Sequence, residues 1–139
     1  MTRMRRVTVL GSTGSIGTQA LDIVAANPER FQVAALSAGG ANMQLLAQQA
    51  QRFAPDVVAI ADESRADELR TALRDLGSSA EVFAGPDAAA HVASMPCDVV
   101  LNGITGAVGL MPTIAALRAG STLALANKES LVKIGRAHV

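Results

Sequence analysis

Three glycines, each three residues after the last, lie where an apolar stretch of the chain becomes amphipathic. Residues 7–24 have the sequence VTVLGSTGSIGTQALDIV, which places Gly11, Gly14 and Gly17 directly after the apolar stretch. Dinucleotide-binding α/β domains hold a pyrophosphate at such a turn, between their first strand and their first helix. One glycine permits the tight turn, another lets the backbone approach the phosphates, and the third lets helix and strand pack closely. The spacing therefore indicates dinucleotide binding.

A purely structural turn is the alternative, because a sharp passage from strand to helix needs glycine in any case. The spacing is also G-x-x-G-x-x-G rather than the commoner G-x-G-x-x-G. The position after the first strand of a βαβ pattern favours the dinucleotide. There the first N–H groups of the helix face the anion, and Thr13 and Ser15 add hydroxyl donors.

The stretch after the second predicted strand indicates which dinucleotide binds. NAD-binding domains carry there an Asp or Glu that accepts a hydrogen bond from the ribose 2′-hydroxyl. Residues 35–42, ALSAGGAN, contain no carboxylate, and Ser37 and Asn42 are available to donate to a 2′-phosphate. NADP is therefore favoured over NAD, although the stretch has no arginine to bind the phosphate. A plain flexible loop at Gly39 and Gly40 is the alternative.

Strand-like and helix-like segments alternate along the chain. Apolar stretches predict strands over residues 7–10, 31–36, 57–60, 82–83, 98–101 and 121–126, and helices are predicted over 16–26, 43–53, 64–76, 87–93, 112–119 and from 128 onward. Ser64 is expected to cap the third helix, with Asp67 at its third position. Apolar strands that alternate with helices are typical of a parallel sheet covered on both faces. The predicted fold class is α/β, a doubly wound, Rossmann-like parallel sheet.

The composition excludes several classes of partner. The chain has 139 residues, enough for one domain, and its 12 basic residues balance 12 acidic ones, so no basic field attracts nucleic acid. No apolar stretch approaches the roughly 20 residues that span a membrane. Cys97 is the only cysteine, which favours a reducing, cytoplasmic location.

The segment NGITGAVGL, residues 102–110, repeats the glycine spacing at Gly103, Gly106 and Gly109. It follows a predicted strand, so in a parallel sheet it lies at the carboxyl edge, where dinucleotides bind. We therefore expect this segment to border the cofactor crevice.

The segment LALANKES, residues 123–130, places Asn127, Lys128 and Glu129 at the end of the last predicted strand. Adjacent unlike charges at this point are, by themselves, at least as typical of a solvated helix start. These three residues indicate a function only when they are considered together with the other segments.

In their order and spacing, the segments LGSTGSIG, SAGGAN, GAVGLMPTIAALRAG and LANKESLV resemble the 1-deoxy-D-xylulose 5-phosphate reductoisomerase family over residues 6–132. The resemblance implies an NADPH-dependent enzyme of non-mevalonate isoprenoid biosynthesis. Such an enzyme isomerises 1-deoxy-D-xylulose 5-phosphate, a sugar phosphate, and reduces the resulting aldehyde to 2-C-methyl-D-erythritol 4-phosphate. A divalent metal, Mg²⁺ or Mn²⁺, and a homodimer are implied for the full-length enzyme.

The resemblance also implies roles for individual residues. NADPH contacts are implied for Gly11, Thr13, Gly14, Ser15, Ile16, Gly39, Gly40, Asn42, Gly103, Ile104, Asn127 and Glu129, and a substrate contact for Lys128. The loop GGAN is one residue longer than the GKN-like versions of the family, which leaves the assignment of its glycines open. The metal-binding carboxylates of the family follow the NKES segment. Neither catalytic residues nor metal ligands are therefore predicted within this chain.

Residues 1–133 are expected to form one NADPH-binding domain, truncated before the last strand or strands of its sheet. Residues 134–139, IGRAHV, match the translation of a common sequencing adapter and are expected to be foreign to the domain. Two other functions remain open, a non-catalytic NADP-sensing module and a different NADP-dependent reductase. Neither accounts for the NKES segment with its Lys128.

Overall fold

The computed structural model describes residues 4–104, 112, 120 and 122–125. In this part of the chain six strands form, β1 Arg5–Leu10, β2 Phe31–Ala38, β3 Val57–Ile60, β4 Glu81–Ala84, β5 Val99–Asn102 and β6 Thr122–Leu125. Between β1 and β5 lie the helices α1 Ser15–Ala26, α2 Met43–Phe53, α3 Ala66–Asp75 and α4 Ala88–Ala93, and a 3-10 helix, Glu63–Arg65, precedes α3. The predicted alternation of strands and helices is confirmed for these residues.

The strands run parallel in one sheet, in the order β4-β3-β2-β1-β5-β6. From β1 to β4 the chain moves steadily toward one edge, and it then returns past β1 to place β5 on the other side. The order therefore reverses between β1 and β5. In open α/β sheets, ligands bind outside the carboxyl ends of the strands at such a switch point. Here those ends are Leu10 of β1 and Asn102 of β5, which pair in register.

Helices cover both faces of the sheet because its strands are apolar on both sides. Side chains alternate along a strand, so neighbouring residues of β3 belong to opposite faces. Val58 and Ile60 pack in a cluster that includes leucines of α1, α2 and α3, whereas Val57 and Ala59 pack with Val92 of α4. The doubly wound α/β class is therefore confirmed. No helix in the described part of the chain is long and apolar enough to cross a membrane.

The start of the third helix differs from the prediction. Oδ1 of Asp62 accepts hydrogen bonds from the Ser64 N–H at 3.1 Å and from the Ser64 hydroxyl at 2.5 Å, and a 3-10 helix begins there. α3 begins only at Ala66, and Asp67 pairs with Arg70 instead of completing a capping box. The prediction that Ser64 caps the helix is wrong, because one carboxylate accepts both Ser64 donors and starts the turn two residues earlier.

Several predicted elements fall beyond the described residues. The predicted helix over 112–119 lies outside them apart from Pro112, which is helical, and so do the helix from 128 onward and the segment 134–139. The strand predicted over 121–126 is observed as β6.

We expect Asp62→Ala to destabilise the fold more than Ser64→Ala. Asp62→Ala removes the acceptor that caps the turn, at a cost of about 1 kcal/mol, whereas Ser64→Ala leaves that acceptor and its bond from the backbone N–H in place. Chemical denaturation followed by far-UV circular dichroism measures both free energies of unfolding. A larger loss in Ser64→Ala would contradict the assignment of the cap to Asp62.

Candidate functional site

The glycine turn lies at the switch point between β1 and β5. Gly11 directly follows β1 and has a φ of +71°, a backbone conformation that residues with a side chain rarely adopt. A Cβ at Gly11 would lie 3.0 Å from the carbonyl carbon of Gly103 and 3.2 Å from the backbone nitrogen of Ile104. Gly11 therefore makes the tight turn, and its lack of a side chain lets the loop after β5 come alongside.

Gly17 lets α1 pack directly on the turn that precedes it. A Cβ at Gly17 would lie 2.7 Å from Cα of Ser12 and closer still to the carbonyl oxygen of Gly11. Gly103 is confined in the same way, because its Cβ would lie 2.9 Å from the carbonyl oxygen of Leu10. That oxygen also accepts the Gly103 N–H at 2.8 Å. These two glycines are required by the packing of the protein itself.

Gly14 differs because the space around it is open. It is exposed, its φ and ψ are −81° and 175°, and among the described residues an added Cβ would meet only the carbonyl oxygen of Gly11, at 3.4 Å. Neither packing nor backbone strain therefore requires glycine at this position. A missing side chain here leaves room for a ligand to lie against the start of α1.

The N-terminus of α1 lacks the polar partners that α2 and α3 have. No side chain in the part of the chain that the structure describes caps α1, and the first turn of this helix contains no acidic residue. Asn42, by contrast, caps α2 by accepting a backbone N–H at 3.2 Å, and the first turn of α3 contains Asp67 and Glu68. The first N–H groups of α1 therefore remain available to an anion. At or just before this end of α1 lie the predicted residues Thr13, Ser15 and Ile16.

A buried glutamine holds the glycine turn from behind. Gln49 of α2 is 7% exposed, and its Nε2 donates to the carbonyl oxygen of Ser12 at 2.9 Å. The Ser12 N–H donates to the carbonyl oxygen of Ser37, near the end of β2, at 2.9 Å. The turn is thus fixed to both α2 and β2. Ser37 is itself only 2% exposed, so β2 buries the hydroxyl that we expected to donate to a 2′-phosphate.

The loop after β2 carries the residues predicted to contact the adenosine end of a dinucleotide. Gly39 is exposed, and no atom of the residues that the structure describes lies within 4 Å of an added Cβ, whereas Gly40 has a φ of +120° and faces Asp62 and Ile60. The Asp62 N–H donates to the carbonyl oxygen of Gly39 at 3.0 Å, which fastens the ends of β2 and β3 together. Asn42 is exposed and serves as the cap of α2.

An arginine from the segment after β3 reaches this loop. Nη1 of Arg65 donates to the carbonyl oxygen of Gly40, and the same guanidinium donates to both carboxylate oxygens of Glu68, at 2.8 and 3.1 Å. The hydrogen bond with Glu68 raises the pKa of Arg65, and the hydrogen bond with Arg65 lowers the pKa of Glu68. Both groups are therefore charged at neutral pH. An arginine thus stands beside a loop whose own sequence contains none.

The carboxyl end of β5 forms the other side of the switch point. Asn102 is buried, and its Oδ1 accepts the Ile104 N–H at 2.9 Å, which fixes the turn that brings Gly103 beside Gly11. The structure therefore brings the predicted residues Gly103 and Ile104 together with the glycine turn. Outside the described residues lie Gly106, Gly109, Asn127, Lys128 and Glu129.

The acidic, His and Cys side chains make other contacts. Within the residues that the structure describes, no three His, Cys, Asp or Glu side chains come together in a way that could hold a metal ion. His91 packs against Phe83, with ring centroids 4.4 Å apart. Sγ of Cys97 donates to the carbonyl oxygen of Val99 at 3.5 Å.

The chain matches known proteins over almost its whole length. The family model of 1-deoxy-D-xylulose 5-phosphate reductoisomerase matches residues 7–135. The chain belongs to this family. Reductoisomerases of Beutenbergia cavernae and Streptomyces coelicolor are 61% and 56% identical to it, over 129 and 130 residues. These matches cover 92% and 91% of the chain but 32% and 31% of the relatives, so the chain spans about a third of their length.

Solved reductoisomerase structures have the same fold. One from Zymomonas mobilis, in complex with NADPH, is 43% identical with a TM-score of 0.84, and the match covers 98% of this chain and 37% of that one. Another, in complex with magnesium, is 30% identical with a TM-score of 0.84, over 98% of this chain and 36% of that one. The family resemblance is confirmed, and so is the fold class predicted from the alternation of strands and helices.

Sequence reasoning missed the residues that support the site from other elements. Gln49 follows Leu46 by three positions and precedes Ala50, so it lies on the buried face of α2, and a buried polar side chain needs a partner. Asp62 and Arg65 follow β3, which is the parallel neighbour of β2. They therefore lie at the same edge of the sheet as the loop after β2. Once the order of the strands is known, their positions in the sequence indicate that these residues lie near the loop after β2.

Gly17→Ala is expected to lower the free energy of unfolding by about 1–3 kcal/mol or more, because the new methyl group overlaps backbone atoms of the turn. Gly39→Ala is the matched control, since the same methyl group meets no atom within 4 Å and is expected to change stability by less than about 0.5 kcal/mol. Urea denaturation of both variants measures the difference. Equal effects would contradict the close packing of α1 on the turn.

Proposed function

We propose that this chain is the NADPH-binding part of a 1-deoxy-D-xylulose 5-phosphate reductoisomerase. The observation that carries the proposal is the glycine turn at the switch point, where the uncapped N-terminus of α1 and the open Gly14 meet the loop after β5. Within the described residues, the N-terminus of α1 has no side-chain cap and the space beside Gly14 is not filled by the protein. Membership of the family supports the proposal, because a relative from Zymomonas mobilis was solved with NADPH.

The residues at the switch point fit the parts of such a cofactor. Gly14 leaves the space that a pyrophosphate needs, and the first N–H groups of α1, with the Thr13 and Ser15 hydroxyls, are donors for its oxygens. The loop after β2 would hold the adenosine end. Along the rest of the cofactor, the proposal assigns contacts to Gly39, Gly40, Asn42, Gly103, Ile104, Asn127 and Glu129.

For the whole enzyme we propose conversion of 1-deoxy-D-xylulose 5-phosphate to 2-C-methyl-D-erythritol 4-phosphate. NADPH supplies the hydride in this reaction, while the residues of this chain bind and orient it and exclude water. Lys128 is assigned to the substrate, as a point charge on a flexible stem. A divalent metal would be held by carboxylates beyond residue 139, and a relative was solved with magnesium. We also propose a cytoplasmic homodimer.

Gly14→Val tests the cofactor site directly. The new side chain fills the space assigned to the pyrophosphate, so NADPH binding is expected to be abolished. Fluorescence titration of the reduced nicotinamide measures the affinity, and far-UV circular dichroism checks that the sheet persists. Ala26→Val is the control. It enlarges an exposed side chain at the C-terminal end of α1 and is expected to leave the NADPH affinity unchanged. Normal NADPH binding by a folded Gly14→Val variant would make the turn purely structural.

Lys128→Ala tests the assignment of the substrate. In a whole reductoisomerase that contains these residues, kcat/KM for the sugar phosphate is expected to fall roughly tenfold to a hundredfold, with the Kd for NADPH unchanged. Lys133→Ala removes the same charge five positions later and serves as the control. Unchanged steady-state kinetics in Lys128→Ala would refute the role of this residue.

A further inference from the structure

We propose that Arg65 is the residue that makes this chain prefer NADPH to NADH, by binding the 2′-phosphate of the cofactor's adenosine ribose. The inference rests on the proposed function and names a specificity residue that the sequence pattern does not supply. Domains that bind NADP commonly place an arginine near the end of β2, where NAD-binding domains have an acid. Here the loop after β2 has neither an acid nor an arginine of its own.

The first support is the position of the guanidinium. Arg65 belongs to the 3-10 helix after β3, and β3 lies directly beside β2 in the sheet. Its Nη1 donates to the carbonyl oxygen of Gly40, in the loop proposed to hold the adenosine end. Gly40 can face this way because its φ of +120° is open to glycine. The arginine is therefore delivered to the end of β2 by the neighbouring strand.

The second support is the donor capacity that remains on Arg65. A guanidinium has five N–H donors, and Glu68 and Gly40 engage three of them, through Nε, Nη2 and Nη1. One N–H on each Nη atom is left, and two such donors match the geometry of a phosphate. The side chain is 33% exposed and lines a cavity of about 610 Å³ with Asn42 and Gln44. A ligand can therefore reach it.

The third support is the charge around the loop. Asp62, Glu63 and Glu68 all lie near the start of α3, and a Cβ at Gly40 would be 3.2 Å from Cβ of Asp62. Arg65 is the only basic residue among the described residues that line the cavity. Without Arg65, the charged side chains among the described residues that line the cavity would all be carboxylates, which repel a 2′-phosphate. The preference for NADPH thus depends on one cation.

The test compares NADPH and NADH binding, by nicotinamide fluorescence, in the unsubstituted 139-residue chain and in Arg65→Gln. We expect Arg65→Gln to weaken NADPH by about tenfold and to leave NADH nearly unchanged, because only NADPH carries the 2′-phosphate. Arg70→Gln is the matched control. It makes the same charge change on α3, where Arg70 is exposed and pairs with Asp67 at 3.0 Å, and it should alter neither affinity.

A purely structural role for Arg65, as a fastener of Gly40, would weaken both cofactors equally, and an unchanged affinity ratio would overturn the proposal. Glu68→Gln provides a second route, which keeps Arg65 and removes its carboxylate partner. We expect it to strengthen NADPH binding roughly twofold to fivefold. If Arg65→Gln does not fold, unchanged NADPH affinity in Glu68→Gln overturns the proposal. Failure of the unsubstituted chain to bind NADPH at all would instead refute the proposed function.

Discussion

The close approach of two backbone turns, at Gly11 and Gly103, is the constraint on which the rest of the site depends. After β4 the chain crosses back over the sheet, so that β5 lies beside β1 on the side away from β2. The turns that follow β1 and β5 therefore occupy the same narrow space. A Cβ at either glycine would come within about 3 Å of backbone atoms of the other turn or its strand. Side chains are thereby excluded from the contact between these two turns. The donors beside that contact are the first N–H groups of α1 and the hydroxyls of Thr13 and Ser15, which suit a charged ligand better than an apolar one.

The glycines of the turn divide structural and binding demands between them. Gly11 and Gly17 are fixed by the fold, the first by its φ of +71° and the second by contact with the turn's own backbone. Within the described residues Gly14 meets neither demand, and it lies at a helix N-terminus that has no side-chain cap. The turn is held rigid by Gln49, whose side chain crosses from α2 to the carbonyl oxygen of Ser12. Such support orders the donors before a ligand arrives, which lowers the entropic cost of binding.

The local pattern of apolar and polar residues predicts most of the described fold, because a strand or an amphipathic helix can be recognised from the spacing of its apolar residues. The helix over 43–53 and the strand over 57–60 have their predicted bounds. The predicted cap of the third helix is wrong because Asp and Ser are both favourable N-cap residues. Only the path of the chain after β3 determines that Asp62, rather than Ser64, takes this position. Gln49 and Arg65 were missed for a related reason. Their contacts join positions 37 and 25 residues apart, and no local pattern encodes such pairs.

Cofactor preference depends on more than the sequence of the loop after β2. The absence of an acid in residues 35–42 favours NADP, but these residues are only one part of the surface at the end of β2. In the folded chain the segment after β3 brings Asp62 beside Gly40 and Arg65 onto its carbonyl oxygen. The electrostatic field at the end of β2 is therefore set by two neighbouring strand ends together. Because parallel strands deliver their carboxyl ends to one edge, residues after β3 belong to the same specificity determinant as the loop itself.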